Sequence, residues 1–209
     1  MNSESTLNTR LNRKALGLSF LTVGYNIIEG IVAIIAGRLA GSIALVGFGM
    51  DSFVESLSGI IMVWRFRKQG KISKEEEVRV ERKATKLIGY TFFILALYVL
   101  YESIDKLVRQ KIPEASLFGI IIAATSIIIM PILFLQKYKL GKTLASKSLI
   151  ADAKETMACF FLSIALLVGL GANYLFGLWQ ADPIVGLIIV IFLIKEGYET
   201  LKEVGEKED

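Results

Sequence analysis

Two pairs of residues in apolar stretches of this chain have the types and spacing of metal ligands. Asp51 and Glu55 are four residues apart, and so are Glu155 and Cys159. Residues four apart in a helix share one face and lie about 6 Å from each other along the axis. Their carboxylate oxygens and thiolate form a donor set that suits a divalent cation. The spacing therefore predicts a metal site formed by Asp51, Glu55, Glu155 and Cys159.

Protons are expected to compete with a metal for this site, because two like-charged carboxylates on one face repel each other until a cation arrives. The sequence contains no His, the commonest metal ligand and the usual proton carrier near neutral pH, so carboxylates must carry the protons. Cys159 is the only cysteine and can form no intrachain disulfide. It is either a ligand or a buried apolar side chain.

Three further polar residues are candidates for supporting this site. Asp152 precedes Glu155 by three residues on roughly the same side of a helix, where it would receive a metal from the cytoplasm. Asn26 and Glu29, three residues apart, either line the same cavity behind the ligands or, in the case of Glu29, lie near the outer interface.

Lys154 and Glu102 have structural explanations. Lys154 would neutralise Asp51 or Glu55 in a purely structural pair, but its expected position near the cytoplasmic interface favours an extended side chain that reaches water. Glu102 lies at the outer end of a third apolar stretch and is expected to be a solvated cap.

The elements that position these residues are predicted to be transmembrane helices. The 209 residues are 54% hydrophobic with a mean hydropathy of +0.57, above the range of soluble domains. A charge at mid-span costs about 2.5–3.5 kcal/mol, so the acidic faces must turn toward partners, a cation or water. The fold class is all-α, a polytopic membrane protein with six transmembrane helices at about 15–36, 39–64, 87–107, 115–135, 148–175 and 183–198.

The distribution of basic residues predicts the orientation. Nineteen of the 24 Lys and Arg fall in the N-terminal tail, the segments 65–86 and 137–147, and the C-terminal end. Cytoplasmic loops hold the excess of Lys and Arg, so both termini are expected in the cytoplasm. The predicted organisation is an N-terminal cytoplasmic tail (1–14), a six-helix transport domain (15–201) with a basic cytoplasmic loop (65–86), and a short cytoplasmic tail (202–209). Three plus three spans divide the chain into halves that would have opposite orientations if they were related, an arrangement common in secondary transporters.

The acidic motifs and their order resemble the cation diffusion facilitator (cation efflux) family over about residues 16–201. The likeness rests on three motifs: Gly41-Ser42-Ile43-Ala44-Leu45 leading into Asp51-xxx-Glu55, Ala151-Asp152-Ala153 leading into Glu155-xxx-Cys159, and Asp182-Pro183 at the start of span six. The resemblance implies a six-helix, usually dimeric exporter of zinc or similar metals. It also implies proton exchange and a metal bound between spans two and five.

Two departures from the family pattern stand out. Members usually have His or Asp at the positions of Asp51 and Glu155, and Asp at those of Glu55 and Cys159. Most also carry a cytoplasmic metal-binding domain after span six, so the resemblance is to a short form without it.

These features predict a multi-pass protein of the cell membrane that exports a divalent metal, most simply zinc, by proton antiport. The metal is then the substrate, no cofactor is expected, and the partners are protons, membrane lipids and a second copy of the chain. Two alternatives remain: a non-transporting membrane subunit or metal sensor, and a proton-coupled exporter of small organic cations. An enzyme is not expected, because no nucleophile with a base is evident. A nucleic-acid partner is not expected either, because the basic residues lie beside the spans and no nucleic-acid motif accompanies them.

Overall fold

Six α-helices make up the described part of the chain. The computed structural model describes residues 3–39, 43–69, 71–110, 117–176, 178 and 180–205, and its elements are α1 (Ser3–Leu39), α2 (Ile43–Lys68), α3 (Lys74–Arg109), α4 (Leu117–Thr143), α5 (Lys147–Phe176) and α6 (Ala181–Gly205). The predicted all-α architecture with six helices is confirmed. Gly41 and Ser42 of the first motif lie outside the described residues.

The helices extend beyond the apolar spans into the predicted loops. Most of the segment 65–86 is helical, since α2 continues to Lys68 and α3 begins at Lys74 after a short turn. Ser73 caps α3 by accepting a 3.2 Å hydrogen bond from the backbone N–H of Glu76. The segment 137–147 is likewise mostly the end of α4. Hydropathy marks the part of a helix that contacts lipid, whereas backbone hydrogen bonding continues through polar residues.

The surface of the bundle is apolar and its interior is rich in polar groups, the reverse of a soluble protein. Ile28, Leu97 and Ile128 are largely exposed, whereas Ser19 and Thr22 are fully buried. Small polar residues between helices are typical of membrane bundles. Within the described residues, four stretches are long and apolar enough to cross a membrane: Leu7–Leu39, Leu45–Lys68, Lys74–Arg109 and Phe118–Thr143.

The packing encloses α2 and α5. The closest neighbours are α1 with α2, α3 with α6, and α4 with α5, while α2 and α5 contact each other and α3. The crossing of α1 and α2 brings two backbones together at Gly30 and Gly49. A Cβ atom on Gly49 would lie 2.8 Å from the carbonyl oxygen of Gly30, so no larger residue fits there without displacement. The acidic faces of α2 and α5 are therefore inside the bundle.

The bundle has two ends. We call the end where α2 finishes and α5 begins the inner end, which the basic residues predict to be cytoplasmic, and the opposite end the outer end.

Candidate metal site in the membrane core

Asp51 and Glu55 lie on the inward face of α2. Both side chains are almost completely buried. The neighbouring hydroxyls are occupied elsewhere: Ser56 donates to the carbonyl of Ser52, and Ser52 donates to Glu29 and to its own helix. None of the four carboxylate oxygens of Asp51 and Glu55 accepts a hydrogen bond from the described residues. The carboxylates of Asp51 and Glu55 are thus buried, and their oxygen lone pairs are available to bind a cation.

Glu155 and Cys159 face this pair from α5. Both are buried, and Cys159 is a free thiol that faces Asp51 and Glu55. Thr91 of α3 donates a 3.1 Å hydrogen bond to one oxygen of Glu155. The other oxygen of Glu155 has no hydrogen-bond partner among the described residues. The structure therefore brings the two predicted pairs onto facing sides of α2 and α5.

The candidate metal ligands lie around one region of the core, but their side chains do not converge on a single position. Within the described part of the chain, no three Asp, Glu or Cys side chains converge closely enough to hold a metal ion. Coordination would require these side chains to rotate toward each other. Such rotations are open to Asp51 and Glu55, because no hydrogen bond from a described residue restrains their carboxylates.

Asp152 lies beside the site and is held by an unexpected partner. Its carboxylate is 2.8 Å from the ammonium of Lys137 on α4, and both side chains are completely buried. Ser58 of α2 donates a 2.7 Å hydrogen bond to the same carboxylate. Lys137 was predicted to lie in a cytoplasmic loop. This prediction was wrong, because α4 continues through Lys137.

Asn26 and Glu29 lie on the inward face of α1. Glu29 is buried and accepts hydrogen bonds from Tyr25, Ser52 and Ser126 at 2.8, 3.0 and 2.7 Å. It is therefore inside the bundle and not at the outer interface. Asn26 is fully buried, and neither polar atom of its amide has a hydrogen-bond partner among the described residues.

A cavity of about 60 Å³ reaches Asp51 from the outer end of the bundle. Tyr98 and Glu102 of α3 line it together with Gly47 of α2 and Gly186 of α6. Tyr98 donates a 3.1 Å hydrogen bond to Glu102. Glu102 is thus a mostly buried residue of the cavity that leads to Asp51, and its expected place as a solvated cap was wrong.

A polar contact centred on Glu81 of α3 lies at the inner end, where Arg65 and Glu81 also line a cavity of about 460 Å³. Glu81 forms an ion pair with Arg65 of α2. Its other oxygen accepts hydrogen bonds from the hydroxyl of Ser146 at 2.9 Å and from the backbone N–H of Ser148 at 3.0 Å. One carboxylate therefore joins the inner ends of α2, α3 and α5.

Lys154 belongs to none of these contacts. Its ammonium pairs with Glu196 of α6 at 2.5 Å. The structural alternative in which Lys154 neutralises Asp51 or Glu55 is therefore wrong.

An apolar outer surface and a buried acidic core define a polytopic membrane protein that holds ionisable groups in its interior. The sequence profile described as the cation efflux transmembrane domain matches residues 19–206. The chain belongs to the cation efflux family.

Several curated proteins are similar to this chain. Transmembrane protein 163 of Xenopus laevis is 24% identical over 91% of this chain and 67% of its own length. An uncharacterized transporter of Methanocaldococcus jannaschii is 26% identical, over 86% of this chain and 64% of its own. A cadmium, cobalt and zinc/H(+)-K(+) antiporter of Bacillus subtilis is 25% identical, over 94% of this chain and 63% of its own. The chain thus spans about two thirds of the length of these relatives.

Proposed function

We propose that this protein exports a divalent metal cation across the membrane and binds it between α2 and α5 through Asp51, Glu55, Glu155 and Cys159. The observation that carries the proposal is the set of five buried carboxylate oxygens on Asp51, Glu55 and Glu155 without a hydrogen-bond partner among the described residues. Buried polar groups are normally hydrogen-bonded, and buried charges are normally paired or bound to metal. A bound cation would give these carboxylates a partner.

Zinc is the metal that we favour. The thiolate of Cys159 is a soft ligand, whereas the carboxylates of Asp51 and Glu55 are hard, and such mixed sets suit borderline cations better than calcium or magnesium. The Bacillus subtilis relative is named for cadmium, cobalt and zinc, which supports the same range of metals.

Proton exchange would complete the transport cycle. The metal would arrive from the inner end near Asp152, bind, and leave through the outer cavity at Asp51 when protons replace it on the carboxylates.

Flux measurements in proteoliposomes test this function. The full chain is reconstituted with a zinc-sensitive dye inside, and a pH gradient is imposed. We expect zinc flux in the wild type and none in Asp51→Ala, which should still insert, since loss of a charge makes insertion easier. Glu199→Gln, which changes an exposed acid on α6, is the matched control and should transport normally.

Three results would contradict the proposal. Zinc flux at the wild-type rate in a well-folded Asp51→Ala protein would show that Asp51 is not part of the metal site. Flux of a cationic dye without metal flux would favour an organic-cation exporter, and the absence of both would favour a non-transporting subunit or sensor.

A further inference from the structure

Lys137 lies near the inner end of α4, where a lysine side chain usually extends to water, yet it is completely buried. Its side chain and that of Asp152 are completely buried, with the ammonium 2.8 Å from the carboxylate. The same ammonium donates a 3.0 Å hydrogen bond to the hydroxyl of Thr156. Ionisable groups inside membrane bundles are costly, and they commonly mark ion pathways. The contact between α4 and α5 does not by itself explain why this ion pair is buried.

The ion pair lies between the candidate metal site and the inner end of the bundle. Asp152 precedes Glu155 by three residues on α5, and Ser58, which donates to Asp152, follows Glu55 by three residues on α2. Three residues advance a helix by about 4.5 Å. Because α2 finishes and α5 begins at the inner end, both displacements point toward that end. An ion that comes from the inner end would meet the Asp152 carboxylate before Glu55 or Glu155.

We propose that Lys137 is a tethered cation that competes with the transported ion for Asp152 and thereby selects divalent over monovalent cations. This inference rests on the proposed transport function. A monovalent ion that displaced the ammonium would leave the charge beside Asp152 unchanged, and the contacts of Lys137 with Asp152 and Thr156 would be lost. A divalent ion brings twice the charge, and its attraction to a carboxylate increases in proportion. In Coulomb attraction, only the divalent ion gains from the exchange.

A second acidic group, on α2, also attracts the ammonium of Lys137. Lys137 interacts electrostatically with Glu55 as well as with Asp152. While the ion occupies Asp152, the ammonium turns toward Glu55. When the ion moves on to the site between α2 and α5, the ammonium returns to Asp152 and blocks the path behind it. The exchange moves charges only and requires no proton transfer at Lys137.

Zinc titrations of the full chain in detergent test this selection. Affinity is measured in potassium chloride and in choline chloride at the same ionic strength, so that general screening is equal. Wild type should give equal zinc affinities in the two salts. In Lys137→Met the carboxylate of Asp152 is free for potassium, which should lower zinc affinity about tenfold relative to choline.

Two controls separate the role of Lys137 from general damage. Lys137→Arg keeps the tethered charge and should behave as wild type. Lys154→Met removes a neighbouring lysine whose partner is Glu196, and it should show no difference between the salts. Equal zinc affinities of Lys137→Met in the two salts would overturn the inference.

A second set of variants applies if Lys137→Met fails to fold, because removal of one member of a buried pair is strongly destabilising. In Asp152→Asn the ammonium is left facing Glu55, and zinc affinity should fall about tenfold or more. The double variant Asp152→Asn/Lys137→Met removes the competitor and should restore zinc affinity to within about threefold of wild type. A double variant as weak as Asp152→Asn would overturn the inference.

The outcomes distinguish this inference from the function on which it rests. A wild-type chain that binds no divalent metal overturns both together. Zinc binding and flux in wild type, with no effect specific to the Lys137 variants, overturn the tethered-cation role alone.

Discussion

The hydroxyl of Ser126 on α4 donates a 2.7 Å hydrogen bond to Glu29 on α1, two residues that are 97 positions apart in the chain. Ser52 of α2 donates to the other oxygen of the same carboxylate at 3.0 Å. Tyr25, one turn earlier on α1, adds a third donor at 2.8 Å. Glu29 is thus a buried acid with its hydrogen bonds supplied, unlike Asp51 and Glu55.

This difference predicts that Glu29 supports the bundle and is not itself a ligand. Glu29→Gln should reduce stability by about 1–3 kcal/mol, because three hydroxyls lose their charged acceptor. Its zinc affinity should fall by no more than about 10–100-fold, the range for groups that position ligands, and less than in Asp51→Asn. Thermal melting and calorimetry of each variant measure the two effects. Loss of zinc binding in Glu29→Gln with unchanged melting would make Glu29 a ligand.

Cys159→Asp tests which atoms hold the metal. The substitution converts the candidate donors to four carboxylates, and oxygen sites favour harder cations. Cadmium affinity should therefore fall more than manganese affinity. Both metals are measured on the same protein, because damage to the fold would weaken both alike. An unchanged cadmium-to-manganese ratio would mean that the sulfur is not a ligand and that Cys159 is a buried apolar side chain.

Metal binding should release protons, because the sequence has no His and only acidic side chains and the thiol are available to exchange them. Calorimetric titration with zinc in buffers of different ionisation enthalpy measures this release. The apparent binding enthalpy should change with the buffer. Identical enthalpies in all buffers would argue against proton exchange on binding, even if zinc binds tightly.

A homodimer is expected from the family resemblance. Exposed apolar side chains cover the outside of the bundle, so a dimer contact through the helices is available without a separate domain. Light scattering in mild detergent should give the mass of two copies. A monomer that transports zinc at the wild-type rate would refute this expectation.

The sequence predicted the number and order of the helices because each needs a long apolar run, a signal that does not depend on the rest of the fold. It also identified buried positions such as Asp51 and Glu155, since a carboxylate within an apolar run must face inward. The helix ends were less predictable. Ser73 and Lys74 begin α3 well before the apolar stretch, through a capping hydrogen bond that hydropathy does not register.

The site was only partly predictable, because its remaining members depend on partners far away in the chain. Lys137 was assigned to a basic loop, and Asp152 and Thr156 become its neighbours only when α4 packs against α5. A signal was present: Leu133 and Leu140, which flank Lys137 at helical spacing, are both buried. Glu102 was misplaced for a similar reason, since the cavity that it lines forms between α2, α3, α5 and α6.

The length of α3 has a mechanical consequence for access to the core. Glu81 fastens its inner part to α2 and α5, and Tyr98, seventeen residues later, lines the cavity at the outer end. At a rise of 1.5 Å per residue these positions are about 26 Å apart on one unbroken rod. Where α3 and α6 cross, a Cβ on Gly89 would collide with the side chain of Leu201, so the two helices are closely packed there. A tilt about the middle of α3 would move its two ends in opposite directions, so the same movement that widened the outer cavity would narrow the access from the inner end.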